Sequence, residues 1–318
     1  MGEARKHEKY DALINACHAL APIRTAVVHP CDDSSLAGAL DAAAAQLIAP
    51  ILVGPQGRIR ALAASLHRDL SGVQIVDTPH SHAAAEKAVE MVRAGHIDAL
   101  MKGSLHTDEL MAEVVRKDTG LRTARRLSHV FIMDVPTYPK PLFITDAAVN
   151  INPSLEDKAD IVQNAIDLAH ALGIDRPKVA ILSAVETITS KIPSTIDAAA
   201  LCKMAERGQI TGALLDGPLA LDNAIDRDAA AVKHIVSAVA GDADILVVPD
   251  MEAGNLLAKE LSFLANADAA GIVLGARVPI ILTSRADNLR TRMASCAVAA
   301  LYAHARRAAS LEVGRLAD

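Results

Sequence analysis

An α/β fold with a mostly parallel, doubly covered sheet is what this chain of 318 residues predicts. Short apolar, β-branched runs alternate with longer runs of 3–4 apolar spacing almost throughout, the pattern of βαβ units. Hydrophobic residues make up 51% and charged residues 22%, enough to bury a full core and too apolar for disorder. Eleven strand-type runs are more than one such sheet comfortably holds, so two doubly wound α/β domains are expected.

The strand-type runs are Thr25–His29, Ile48–Val53, Val73–Val76, Ala99–Lys102, Val130–Met133, Leu142–Thr145, Val179–Ser183, Gly212–Leu215, Ile245–Val248, Gly271–Leu274 and Ile280–Thr283. Helical periodicity marks Leu36–Leu47, Ala83–Ala94, Leu155–Leu172, Ile196–Glu206, Ala230–Ala240 and Ala253–Leu264. After the last strand, Ser284 with Asp287 three residues on resembles a capping box, so Ser284 is expected to cap an Ala-rich helix running to about Ala309. The segment Asn150–Pro153 precedes a long helix and marks a first crossing between domains; Pro279–Ser284 marks the return. The expected domains are therefore 1–149 plus 284–318, and 150–283, with a ligand cleft between them.

Composition excludes several classes. A net charge of -6 argues against a nucleic-acid surface, and with no Trp and six Phe and Tyr together there is little to stack bases on. The apolar runs are broken by Gly, Pro and charge, so no membrane span is expected. The charged N-terminus lacks an apolar signal core, and no residue pattern there suits myristoylation. Cys17, Cys31, Cys202 and Cys296 are far apart and form no CxxC, which fits reduced thiols in a cytoplasm and offers no metal-ligand spacing. A GxGxxG after a strand, a GxxxxGK[ST], an HExxH and a GxSxG are all absent.

Polar segments at strand ends are the usual seat of an α/β active site. Lys102, Gly103, Ser104 and His106 supply charge, donors and close backbone approach; they equally fit a surface turn with Thr107 capping the next helix. Thr145, Asp146 and Asn150 are hydrogen-bonding candidates at the domain seam, or turn formers. Arg122, Arg125 and Arg126 form a local basic cluster, ordinarily a solvated face, directly before a buried-type strand. Asp216–Ala224 follows another strand, with Gly217-Pro218 expected to force a turn. At Ser284-Arg285 a helix N-terminus and a guanidinium fork suit an anion; a capped helix with an exposed arginine is the plainer reading.

These segments together resemble the phosphate acetyltransferase and phosphate butyryltransferase family. The motifs are Met101-Lys102-Gly103, Leu127-Ser128-His129-Val130, Ile144–Asn150, Thr195–Ala199, Asp216–Ala224, Ala240–Leu246, Glu252-Ala253-Gly254-Asn255 and Leu282–Asp287. They run in order from about Arg24 to Leu301, and the layout of Met101–Gly103, Thr145–Asn150 and Asp216–Asn223 is closer to the butyryl branch. The resemblance implies two α/β domains of isocitrate dehydrogenase-like fold with a cleft, and a homodimer. It implies reversible transfer of a short acyl group, acetyl to butyryl, between coenzyme A and inorganic phosphate. Coenzyme A is then a substrate, and no metal or other cofactor is expected. Carried over residue by residue, it casts Ser284 and Arg285 in catalysis and coenzyme A binding, and Arg126 in phosphate binding. Lys102, Gly103, Ser104, His106, Ser128, Thr145, Asp146, Asn150, Asp216 and Asn223 fall in its substrate-binding segments. The family's catalytic aspartate lies seven residues after the serine, where this chain has Thr291; Asp287, one turn earlier, is the replacement, or the base lies elsewhere, or Asp287 is only the cap partner of Ser284. Two further readings remain: an impaired acyl-phosphate or coenzyme A binding protein, and a metal- and NAD(P)-dependent decarboxylating dehydrogenase on the same fold. A transferase acting on acyl carrier protein matches less well.

Overall fold

The computed structural model describes residues 8–282 and 287–316, with side chains described as far as Ala309. In chain order the first half holds α1 (Glu8–Cys17), β1 (Ile23–Val28), α2 (Asp33–Ala44), β2 (Ile48–Gly54), α3 (Gln56–Ser65), β3 (Gln74–Asp77), α4 (Ser81–Arg93), β4 (Ala99–Lys102), α5 (Thr107–Val114), β5 (Ser128–Asp134) and β6 (Leu142–Thr145). There follow α6 (Leu155–Ala171), β7 (Lys178–Leu182), α7 (Pro193–Glu206), β8 (Leu214–Leu219), α8 (Leu221–Ile225), α9 (Arg227–Val232), β9 (Ile245–Val247), α10 (Met251–Phe263), β10 (Asp268–Leu274), β11 (Ile280–Ile281) and α11 (Leu289–Leu316). Each strand-type run of the sequence overlaps a strand, though Gly212 and Ala213 precede β8, and β11 spans only Ile280–Ile281.

The chain divides into two compact units, one of Tyr10–Arg125 with the stretch from Ala270, the other of Arg126–Ala269 with Glu8 and Lys9. The boundaries differ from the expected 149/150 and 283/284. Strand pairing is the reason. In the second unit β5 pairs antiparallel with β6, and β6 pairs parallel with β9, so residues 126–149 are bonded into that unit. In the first, β11 pairs parallel with β4 and antiparallel with β10, which holds 270–281 there.

Within the first unit the strand order is β3-β2-β1-β4-β11-β10, parallel except for the last pair. Its strands are buried on both faces: Ala26, Val27, Val28, Leu52, Leu100 and Met101 have no exposed surface. The other unit orders its strands β5-β6-β9-β7-β8 around Met133, Ile144, Ala180 and Leu246. Here α6 begins as the sequence predicts: Ser154 Oγ accepts from Asp157 N at 3.2 Å, and Asp157 Oδ2 accepts from Ser154 N at 3.0 Å.

Three elements depart from expectation. The run Ala230–Ala240 is helical only to Val232. His234 turns left-handed at φ 57, and Ser237 Oγ accepts from Val239 N and Ala240 N, a local turn that competes with the helix. Strand β8 does not turn at Gly217-Pro218 but continues to Leu219 through a shift in register against β7. The last helix starts at Leu289, and Asn288 Oδ1 accepts from Thr291 N at 2.8 Å, the cap expected from Ser284. Asp287 therefore precedes the helix and does not share a helical face with Thr291. Ser284 and Arg285 lie outside the described residues.

Candidate functional site

Two polar clusters lie at strand ends, one in each unit. In the first unit β1 and β4 run parallel with Val28 opposite Lys102, so both finish at one edge of the sheet. The chain after β4 folds back over the end of β1: Gly103 N donates to Val28 O and Ser104 N to His29 O, each at 2.9 Å. Only glycine fits at 103, because a Cβ there would run into the carbonyl oxygens of Val28 and His29. This closeness puts Ser104 Oγ on His29, donating to His29 O at 2.8 Å and lying 3.0 Å from His29 Nδ1. Cys31 N also donates to the hydroxyl, at 3.3 Å.

Beside this contact is an open pocket of about 530 Å³ lined by His29, Cys31, Asp32, Ser34, Arg58 and Ser104, among others. Asp32 caps α2, its Oδ1 accepting from Ser35 N at 2.8 Å. Arg58 reaches in from α3 and donates to Cys31 O at 3.3 Å. Burial lowers the pKa of His29, and the Arg58 charge lowers it further. Lys102 Nζ bonds Gly103 O at 3.2 Å. His106 is exposed and caps α5, with Glu109 Oε1 accepting from His106 N at 3.4 Å; Thr107 is the first helical residue, not the cap.

The second cluster centres on Asp146, only 3% exposed. Its Oδ1 accepts from Ala148 N at 2.8 Å and Val149 N at 2.9 Å. Its Oδ2 accepts from Asn150 Nδ2 at 2.6 Å, His129 N at 3.2 Å and Asn150 N at 3.3 Å. Asn150 passes the chain of bonds on, its Oδ1 accepting from Arg126 Nε at 2.6 Å and its Nδ2 donating to Leu127 O at 2.8 Å. Arg126 Nη1 also meets the Asp157 carboxylate of α6 at 3.1 Å, and its side chain is 51% exposed. From α6, Asn164 Nδ2 donates to Ser128 Oγ and to Arg126 O, both at 2.9 Å. Thr145 Oγ1 donates to His129 O at 2.8 Å. The α10 N-terminus backs the Asp146 loop: a Cβ on Gly254 would lie 2.8 Å from Asp146 O, and Asn255 Nδ2 donates to Ala147 O at 3.2 Å.

His129 is wholly enclosed, edge-on to Phe131, and burial lowers its pKa to about 4 against the opposing pull of the Asp146 carboxylate. It is a neutral structural ring at pH 7.

The structure thus gathers Arg126, Ser128, Thr145, Asp146 and Asn150 in one network; of Lys102, Gly103 and Ser104 at the end of β4, Ser104 lines the pocket. Arg122 and Arg125 fall in the other unit, where Arg122 pairs as a bridge with Ala276. Asp216 lies inside β8, its Oδ1 accepting from Gly217 N at 2.8 Å. Asn223 is fully buried in α8, its amide donating to Glu186, with Oδ1 unpartnered. Among the described residues, neither is hydrogen-bonded to the Asp146 network. His29, Asp32, Ser34, Arg58, Asp157 and Asn164 escaped the sequence reading. The pair Ser104 and His29 is 75 residues apart, and only strand pairing brings it together. Among the described residues there is no group of three or more His, Cys, Asp or Glu placed to hold a metal ion.

Solved structures share this α/β fold. A branched-chain phosphotransacylase from Enterococcus faecalis V583 overlays with TM-score 0.76 at 30% identity, covering 89% of this chain and 99% of that one. Residues 80–300 match the family model described as "Phosphate acetyl/butaryl transferase", and the chain belongs to that acyltransferase family. It is 68% identical over 303 residues to a phosphate acetyltransferase of Rhizobium meliloti, 95% of this chain and 96% of the relative. To a phosphate butyryltransferase of Clostridium acetobutylicum it is 43% identical over 280 residues, 88% and 93% of the two chains. Overall identity is thus higher toward the acetyl-named relative than toward the butyryl branch that the motif layout suggested.

Proposed function

We propose that this chain reversibly transfers an acetyl group between coenzyme A and inorganic phosphate, yielding acetyl phosphate, with longer short-chain acyl groups as secondary substrates. Family membership at 68% identity over nearly the full length carries this reading. Acyl chain length is its finest part, since one or two methylenes change pocket discrimination by only about 1–3 kcal/mol.

The chemistry needs three things. The thiol must lose a proton, because the thiolate is the nucleophile. The carbonyl oxygen gathers negative charge and needs donors, the role the family resemblance gives to Ser284 and Arg285. Phosphate needs a cationic fork. Arg126 suits it: the guanidinium is half exposed, and Asn150 and Asp157 hold it on one side. Asp146 and Asn150 act as its frame. Ser104 lines the pocket we assign to the thiol substrate, and Lys102 and Gly103 precede it at the end of β4. Direct transfer within a ternary complex requires no metal and no redox cofactor, with proximity supplying much of the rate.

The assembly reading is a cytoplasmic homodimer. Leu256 and Phe263, seven residues apart on one face of α10, are 69% and 82% exposed, and Leu264 beside them is 82% exposed. The four cysteines are all free thiols. No helix among the described residues is long and apolar enough to cross a membrane.

The test is an acyl-transfer assay on chelator-treated protein with coenzyme A and acetyl, propionyl or butyryl phosphate. Turnover fastest with acetyl phosphate is expected. An absolute need for a divalent metal or a nicotinamide nucleotide would overturn the assignment.

A further inference from the structure

Ser104 gives the His29 ring a hydrogen-bond partner at Nδ1. A hydroxyl has one hydrogen and two lone pairs. The Ser104 hydrogen goes to His29 O at 2.8 Å, so toward Cys31 N and His29 Nδ1 the oxygen acts as acceptor. With the Ser104 hydrogen on His29 O, the assignment that fits puts the ring proton on Nδ1 and the lone pair on Nε2. Among the described residues no hydrogen bond engages Nε2, and His29 lines the open pocket together with Cys31, Ser34 and Arg58. The backbone is unusual here as well: His29 sits in the left-handed region at φ 55, held by the bonds from Ser104 and Cys31 to its carbonyl. Other acidic and basic groups of the pocket are engaged. Asp32 serves the α2 cap, and Arg58 is bonded to Cys31 O.

From this geometry we propose that His29 is the general base that takes the thiol proton of coenzyme A, a role for the transfer reaction that rests on the function proposed above. In the direction of thioester synthesis the S–H bond breaks and its proton passes to His29 Nε2. The sulfur electron pair forms the S–C bond to the acyl carbon. The C–O bond of the acyl phosphate breaks, and phosphate leaves with that electron pair. The resulting imidazolium keeps its Nδ1–H on Ser104 and later gives the Nε2 proton to solvent.

The ring's surroundings suit a base that is neutral at pH 7. Burial and Arg58 of α3 disfavour the cation, and His80 at the α4 cap adds to this; Glu109 of α5 and Asp32 before α2 favour it. The balance lowers the His29 pKa below 6.5, so the unprotonated ring is available throughout the neutral range.

The experiment compares wild-type protein with His29→Asn and His29→Gly in thioester synthesis from acetyl phosphate and coenzyme A, across pH 5–8. Asparagine tolerates the left-handed backbone and keeps an amide donor near Ser104, but has no base. Expected for His29→Asn are an unchanged melting temperature and a kcat lower by on the order of 10²–10⁴-fold. Its Michaelis constants should be nearly unchanged, and the acid limb seen below pH 6.5 in wild type should vanish. Added imidazole should restore part of the His29→Gly rate. A folded His29→Asn with wild-type kcat and an intact acid limb overturns the role of His29 while leaving the acyl-transfer reading in place. A wild-type protein that makes no thioester overturns both.

Discussion

The Asp146 cluster and the His29 cluster are both built where strands end, yet they differ in how completely their atoms are satisfied. The Asp146 carboxylate is buried and accepts five hydrogen bonds from its own loop, from Asn150 and from His129 N. The carboxylate is filled by groups of its own fold, and the network's outlet is the half-exposed Arg126 guanidinium; His129 Nδ1, enclosed beside it, has no partner among the described residues. The His29 cluster uses Ser104 to hold one ring nitrogen, while the other has no hydrogen bond among the described residues and His29 lines a pocket. A saturated polar network holds a reactive group in place, whereas reactivity resides in the unsatisfied atom of an otherwise satisfied pair. One unit thus carries a frame with an anion fork, the other a pocket with a proton acceptor.

The contrast can be broken most forcefully at Asp146. Replacing it with alanine strands four backbone amides and the Asn150 side chain in a buried loop, and should cost about 4 kcal/mol of unfolding free energy. Ser104→Ala, at the half-buried pocket edge, should cost about 1 kcal/mol. Chemical denaturation of both variants measures the difference, and equal losses would erase the distinction drawn here.

The two histidines offer a second contrast. His129 is buried with a pKa of about 4, below its unfolded value near 6.5. Between those values the unfolded chain binds a proton that the folded chain does not, so stability is full above pH 6.5 and falls as the pH drops toward 4. Melting temperature should therefore decline from pH 7 to pH 5. His129→Leu should flatten part of that slope, while His29→Asn, acting at a pocket, should alter the rate profile instead. An unaltered slope in His129→Leu would remove His129 from the account of acid stability.

The smallest effect concerns α11. Asn288→Ala removes the acceptor for Thr291 N and should lower stability by about 1 kcal/mol. A loss of that size places the helix start at Leu289; an unaffected melting temperature would mean that the cap lies elsewhere.

Much of the fold is legible in the sequence because it rests on local pattern. Val27, Leu100 and Ile272 sit in apolar runs that can only be buried strands, and Ser154 with Asp157 announces its helix. Apolar spacing alone misleads at Ala230–Ala240, where Ser237 and the left-handed His234 end the helix early. Asp146 and Asn150 stand out as polar residues after a buried run, and Arg126 as a charge before one. What they do depends on partners such as Asp157 and Asn164, which read as ordinary residues of an amphipathic helix. His29 is invisible for the same reason. It follows a strand as a turn residue would, and only the register of β1 against β4 delivers Ser104 to its ring.

The central claim, that this chain joins an acyl group to phosphate with Arg126 as the phosphate fork, is tested most directly by steady-state kinetics of wild type and Arg126→Ala with acetyl-CoA and phosphate each varied. Loss of a charge-assisted bond worth about 1.5–3 kcal/mol should raise the phosphate KM by roughly ten- to a hundredfold while the acetyl-CoA KM stays within about twofold, and Arg126→Lys should recover only part. An equal rise for both substrates, or an unchanged phosphate KM, would contradict it.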